Sequence, residues 1–320
     1  MKTNKIILGF AIIFGAVAAN AGSAVQWSVQ NIVNEDLPGR IIEVRADGMR
    51  VAGFVYGEGH IKPYLSVYDD EGQRLTNPGI DSDGDTRGRF PHHRGIFIGW
   101  NRMRSDLGMD DLWHLRGDEH MRLAEIEKLD ADSKGVSMIL RIEWVSSNRD
   151  DDLEGLLISE RRGISISRAD GRTRIDHISE MTAARDVVLG GDLQHAGLHF
   201  RADASVDGVR SQTSYLWAPG DLSPSGGRII SDELRWVRFL FPLHGNWYSV
   251  TQLNHPDNHS TELSWRDYGR FGFFFNDELE AGEVRRMAGR FYIDKSAGPE
   301  AEDEADIRAK AEADYRAFVD

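Results

Sequence analysis

The residues best suited to chemistry fall in three short stretches. The first is Arg89-Phe90-Pro91-His92-His93-Arg94-Gly95, which runs into the apolar Ile96-Phe97-Ile98. Imidazole titrates closest to neutrality of all side chains, so two histidines at the mouth of a strand offer a general base or acid. Pro91 suits a strand entrance, and successive side chains of an extended chain face opposite ways. On that reading His92 and Arg94 share a face, His93 points to the other, and at most one histidine serves a site directly.

The second stretch is Gln194-His195-Ala196-Gly197-Leu198-His199-Phe200-Arg201. On a helix, His195 and His199 would sit one turn apart and share a metal. Leu198, Phe200 and the flanking Gly and Asp residues fit a strand better. A strand sets His195, Gly197, His199 and Arg201 on one face, with the two histidines about 13 Å apart, too far for one ion to touch both. Gly197 would then leave a gap for a ligand. The third stretch pairs Asn254-His255-Pro256-Asp257-Asn258 with Trp265-Arg266-Asp267-Tyr268-Gly269. If the latter is extended, Arg266 faces with Tyr268, where it can bind a carboxylate and lower the phenol's pKa. Plainer readings stand beside these: loop caps, a polar solvent face, a turn and a surface ion pair. His60, His114, His120, His177, His244 and His259 read as structural. No phosphate loop, dinucleotide fingerprint, nucleophile elbow or HExxH occurs.

The elements that must position these groups are strands. Ile41 to Ala46 and Met49 to Tyr56 flank Asp47-Gly48, a hairpin signal. Val136 to Val145 alternates with Met138, Leu140, Ile142 and Trp144 on one face, and Leu156–Ser167 pairs with Thr173–Met181 around Asp170-Gly171. Val187 to Val206 reads as two more strands closed by a turn at Asp207-Gly208. Further strands follow to Ile293. The expectation is an all-β fold, a large antiparallel sandwich or barrel over residues 22–298, with no linker dividing it. Residues 299–320 differ: an acidic start and a stripe of Ile307, Ala311, Tyr315 and Phe318 predict an amphipathic helix packed on the sheet.

Composition bounds the rest. The 320 residues are 28% charged and 40% hydrophobic, an ordinary globular balance. Lys2 and Lys5, the apolar run Ile6 to Ala19 and the small residues Ala19-Asn20-Ala21 read as a cleavable signal peptide over residues 1–21. That makes the mature chain periplasmic or secreted, without a membrane anchor. There is no cysteine, so neither disulfides nor a lipid-anchoring thiol are available. A net charge of −14 argues against nucleic acid as a partner; a local arginine cluster still permits an acidic small substrate.

Across its motifs the chain resembles a bacterial family of unknown function often labelled "methane oxygenase PmoA". The resemblance rests on Lys62-Pro63-Tyr64, Pro91-His92-His93-Arg94-Gly95, the His120 segment and Gly190-Gly191-Asp192 through Arg201. It continues in His255-Pro256-Asp257-Asn258, Trp265 to Gly269 and Leu279-Glu280-Ala281-Gly282-Glu283, and departs at Trp113-His114. The label itself does not fit, because a membrane monooxygenase subunit needs spanning helices. The resemblance implies a galactose-mutarotase-like β-supersandwich and a carbohydrate partner.

The residues and the resemblance together give the expected function: a carbohydrate-active lyase or dehydratase on uronate-containing oligosaccharides. His92, His195 and Tyr268 are the catalytic candidates. His93, Arg94, His199, Arg201, His255, Asn258 and Arg266 are the substrate-binding ones. No cofactor and no metal ligand is assigned, though a His-ligated divalent metal assembled from distant segments stays open. Epimerisation, glycoside hydrolysis and non-catalytic sugar binding are the alternatives.

Overall fold

Asp-Gly pairs turn two of the hairpins, Arg40–Ala46 with Met49–Tyr56 and Leu156–Ala169 with Arg172–Ala183. Asp47 and Gly48 have φ of 51° and 81°, and Asp170 and Gly171 have 52° and 77°, the positive values that a tight turn between right-twisted strands requires. The structure, a computed structural model, describes residues 25–148, 151–192 and 194–320. The expected signal peptide lies outside these.

Two large antiparallel sheets form the body. In order across the first, nine strands run Trp27–Val33, Arg40–Ala46, Met49–Tyr56, Tyr64–Val67, Ile96–Trp100, Ala196–Arg201, Arg270–Phe274, Glu262–Arg266 and Arg228–Ile230. The second has eight: Ser214–Ala218, Trp236–Leu243, Asn246–Asn254, Val284–Ser296, Arg172–Ala183, Leu156–Ala169, Gly135–Val145 and His120–Asp132. A small four-stranded sheet sits beside them. Each large sheet turns one face inward. Met138, Leu140, Ile142 and Trp144 of the eight-stranded sheet share one buried core with Ile96, Ile98, Leu198, Phe200, Phe271 and Phe273 of the nine-stranded one. Alternation places the intervening residues on the outer faces.

Each outer face carries its own cover. On the nine-stranded sheet, Ile41, Val55, Tyr64 and Phe97 pack against Trp113. On the eight-stranded sheet lies the helix Glu304–Val319, started by Asp303, whose side chain accepts from the N–H groups of Ala305 and Asp306. Its Ala311, Tyr315 and Phe318 pack on Ala218, Trp236, Leu253 and Tyr292. Ion pairs Arg172–Asp314 (2.6 Å), Arg238–Glu302 (2.8 Å) and Arg235–Glu312 (2.9 Å) clamp it.

One local expectation is corrected. Asp207-Gly208 is not a hairpin turn but part of a 3-10 helix, Ala204–Gln212, capped by Asp203; a side-chain cap next to Ser205 competes successfully with strand pairing. An edge strand, Trp27–Val33, precedes the first strand read from the sequence; an edge strand needs an apolar face on one side only. Among the described residues no helix is long and apolar enough to cross a membrane.

Candidate functional site

Strand register builds the wall of the site. His199 lies opposite Phe97 on one neighbour and Gly272 on the other, and Arg201 lies opposite Arg270. With Leu198 and Phe200 in the core, His199 and Arg201 stand on the outer face. Gly272 makes room for the imidazole: a Cβ there would come within 2.6 Å of the His199 ring and 2.2 Å of the Leu198 carbonyl. Gly272→Ala should therefore lower stability by about 1–3 kcal/mol, read as a drop in the urea midpoint at unchanged slope. A variant as stable as the parent would contradict this packing. His199 Nε2 donates to the Ala196 carbonyl (2.8 Å), and Nδ1 accepts from Arg270 Nη1 (3.3 Å), which also reaches the Gln194 carbonyl (2.9 Å) and Ser264 Oγ (3.1 Å). His199 is fully buried, a strut behind the site.

The pattern Asp-Leu-x-His occurs twice in the sequence, at 111–114 and 192–195, and in front of this wall His114 and His195 converge, each with its own aspartate. Asp111 Oδ1 accepts from the N–H groups of Trp113 (3.2 Å) and His114 (2.9 Å), and Asp192 Oδ1 accepts from that of Gln194 (3.0 Å). Each carboxylate also holds its imidazole through Nδ1, at 2.7 Å for His114 and 3.0 Å for His195. Asn101 Nδ2 donates to Asp192 Oδ2 (2.9 Å). Burial by itself would raise both carboxyls, but the histidines and N–H groups around them hold both below the usual range. Ionised, they can only accept, so Nδ1 of each ring carries the proton and Nε2 offers a lone pair.

The rings stand in a row. His92 lies 4.6 Å from His114, and His114 lies 4.8 Å from His195, between ring centres. His93 touches His92 at 4.2 Å. The row is the solvent edge of the site: the His114 and His195 side chains keep 12% and 23% of their surface exposed. Burial lowers the His195 pKa, with Asp192 opposing. Burial, then the Lys62 charge and the neighbouring imidazoles, takes His92 down to about 2. His92 and His195 are therefore neutral at pH 7. Among the described residues no set of three or more His, Asp or Glu side chains is arranged to hold a metal ion.

Beneath the row lies the fully buried Trp113. Its indole N–H donates to His93 Nε2 (3.1 Å), and its ring meets Phe97 (4.9 Å), His199 (4.8 Å) and His195 (5.6 Å). Its carbonyl accepts from Lys62 Nζ (2.6 Å), which lies 4.6 Å from the Phe97 ring centre. Burial drives the Lys62 pKa well down. Arg201 and Arg270, both fully buried, complete a floor rich in cations and donors. The two carboxylates of the row are already engaged, so the arrangement favours a ligand bearing negative charge.

The structure brings together most of the first two stretches and separates the third. His92, His93, His195, His199 and Arg201 gather at the site with Tyr268, whose ring carries the Arg201 guanidinium at 4.7 Å. Four local expectations fail. Residues 91–95 form a turn before the strand begins at Ile96, so alternation does not apply and His92 and His93 lie together. Arg94 turns away to the Pro91 carbonyl (3.0 Å) and His60 (3.1 Å), bracing the neighbouring loop. Gly197 leaves no gap for a ligand; its φ is 86°, and a Cβ would lie 2.2 Å from the Phe273 carbonyl. Tyr268 sits in the turn between two strands, so Arg266 does not face it and donates instead to the carbonyls of Gly227 (2.9 Å) and Trp265 (2.6 Å).

His255 and Asn258 lie across the sandwich. The His255 ring meets Phe318 of the C-terminal helix at 5.4 Å, and Asn258 Nδ2 is spent on Asn254 (2.9 Å) and the Ala288 carbonyl (2.7 Å). Conversely, Asp111, Trp113, His114, Asp192 and Arg270 were not among the candidates. The twice-occurring Asp-Leu-x-His was the signal that could have found four of them.

Comparison with solved structures returns distant likenesses. A protein of Synechocystis sp. PCC 6803 is similar at 12% identity and TM-score 0.45, over 83% of this chain and 100% of that one. A galactose mutarotase-like protein of Lactobacillus casei is similar at 10% identity and TM-score 0.43, over 83% and 100%. A heparan sulfate lyase HepC mutant from Pedobacter heparinus is similar at 7% and 0.41, over 83% of this chain and 36% of that one. At such values the likenesses carry no argument about chemistry. Among curated proteins nothing matches. Residues 41–317, which include every strand of the site and both Asp–His segments, match one family along their whole length. The chain belongs to that family, the family of unknown function DUF6807.

Proposed function

We propose that this protein is an exported carbohydrate-active enzyme that cleaves uronate-containing oligosaccharides by β-elimination. The observation that carries the reading is the pair of Asp-held imidazoles, 4.8 Å apart, above a floor of buried cations. A neutral Nε2 of His195 or His114 removes the proton from the carbon next to the carboxylate. The electron pair left behind becomes a carbon–carbon double bond as the bond from the neighbouring carbon to the glycosidic oxygen breaks. That oxygen takes a proton from the Tyr268 hydroxyl or a protonated member of the row. Fixed positive charge stabilises the carbanion-like state, in which the carboxylate gains charge. Rings this close cannot flank a sugar; they approach one face of it, which suits removal of a proton and a leaving group from the same side. Hydrolysis needs two carboxylates across the scissile bond, and Asp111 and Asp192 are both committed to their histidines.

The test is incubation with a panel of oligouronates, followed by ultraviolet absorbance of the unsaturated product. Intact binding with no absorbance across the panel would overturn the reading. Export is checked by the N-terminal sequence of protein recovered outside the cytoplasm, expected to begin near Gly22.

The pH profile has a definite sign. His195 acts as a base only when neutral, and its pKa lies below the ordinary 6.5. The rate should stay level through neutrality and fall only as pH drops below 6.5. An acid limb centred above 6.5 in kcat/KM would exclude His195 in this environment.

A further inference from the structure

We infer that the free edge of Arg201 is the carboxylate-binding subsite of this site and that the Phe90 ring is its cover. This rests on the proposed acidic-sugar substrate and names the group that recognises it.

Arg201 is fully buried. Its Nη1 donates to the Tyr268 carbonyl. Its Nε and Nη2 are buried and meet no acceptor among the described residues. These two nitrogens form one edge of the guanidinium, where parallel N–H bonds match the two oxygens of a carboxylate. The same protein uses that edge elsewhere. Arg162 Nε and Nη2 grip Glu160 Oε1 (2.8 Å) and Oε2 (2.7 Å), both residues fully buried. Arg122 presents the same pair of nitrogens to Glu143 (2.9 and 2.6 Å). Arg201 is as buried as Arg162 yet has no acid on this edge. Leaving one half of a buried ion pair without its partner is costly, and a ligand carboxylate would supply that partner.

The cover is identified by its contacts. The Phe90 ring lies 5.2 Å from Tyr268, on which Arg201 is stacked, 5.5 Å from His93 and 6.1 Å from His92. It therefore bridges the Arg201 platform and the histidine row. Phe90 also holds a φ of 59°, a left-handed value that costs an aromatic residue. Relaxation of this residue swings the ring aside and opens a path from the row to the Arg201 edge. A uronate then sets its carboxylate on Arg201 and the neighbouring C–H toward the imidazoles.

The experiment is calorimetric titration of the full protein with galacturonate and glucuronate and with the methyl ester of each. At least one acid should bind about tenfold or more tighter than its ester. In 15N-labelled protein the Arg201 Nε–H resonance should shift with that acid and not with its ester. Arg201→Lys, which keeps the charge but not the fork, should erase the preference, and Phe90→Ala should keep it while speeding association. Equal binding of acid and ester, an unmoved Arg201 resonance, or full preference in Arg201→Lys would each overturn the inference. The resonance test needs no variant, so misfolding of a substituted protein leaves it decisive. Selective acid binding without elimination sinks the proposed reaction and not this subsite. Elimination with a carboxylate preference indifferent to Arg201 does the reverse.

Discussion

His195→Ala is expected to lower kcat/KM on a productive oligouronate by about 100- to 10,000-fold, the usual worth of a positioned general base. Asp192→Asn should cost a comparable amount while leaving the ring in place. The Asp192 carboxylate accepts from Nδ1 and so leaves Nε2 unprotonated. An amide can donate to Nδ1, which favours the other tautomer and removes the lone pair from the side facing substrate. The parallel pair His114→Ala and Asp111→Asn decides which dyad is the base. The base pair should abolish the acid limb of the pH profile, whereas the other pair should lower the rate without moving that limb. Near-parental activity in all four variants would show that the row takes no part in the chemistry.

The largest stability effect is expected at Trp113. Trp113→Ala should cost about 3–5 kcal/mol, the range for emptying a buried aromatic site. The indole is fully buried, separates four ring neighbours, and gives its N–H to His93. Its loss leaves His93 Nε2 without a donor as well, a further penalty of about 1–3 kcal/mol if no water enters. Trp113→Phe keeps one aromatic ring and forfeits the N–H with the rest of the indole, so it should fall between alanine and the parent. Denaturant unfolding of the three proteins measures this, and a loss below about 1 kcal/mol for the alanine variant would remove Trp113 from its place as the keystone of the site.

The fold was legible because its signals are local. Asp47-Gly48 and Asp170-Gly171 specify tight hairpins through backbone conformation. The alternation of Met138 to Trp144 specifies which face is buried. The acidic start and apolar stripe specify the final helix. The site was legible only in part. His199 and Arg201 share a readable strand, Ala196–Arg201, whereas His195 lies just before it in the turn held by Asp192, not in register with them as strand alternation predicts. His114 reads as structural because it is held by Asp111, three residues earlier, within an isolated turn, where no run of periodic residues marks the pair. Arg270 was passed over because its role comes from lying across the ladder from Arg201. His255 and Asn258 look like site residues in one dimension and face the other side of the sandwich in three.

What the sequence determined by itself is the all-β body, its two principal Asp-Gly hairpins, the capped terminal helix and a supply of imidazole and guanidinium groups. Each follows from interactions among residues close in the chain. Only the tertiary structure decided that His92, His114 and His195 meet, that Arg201 keeps an unpartnered edge, and that Trp113 lies beneath them. Those contacts join segments far apart in sequence. They depend on strand order and register, which are settled by burying one face of each sheet and leave no local trace at the residues that the register brings together.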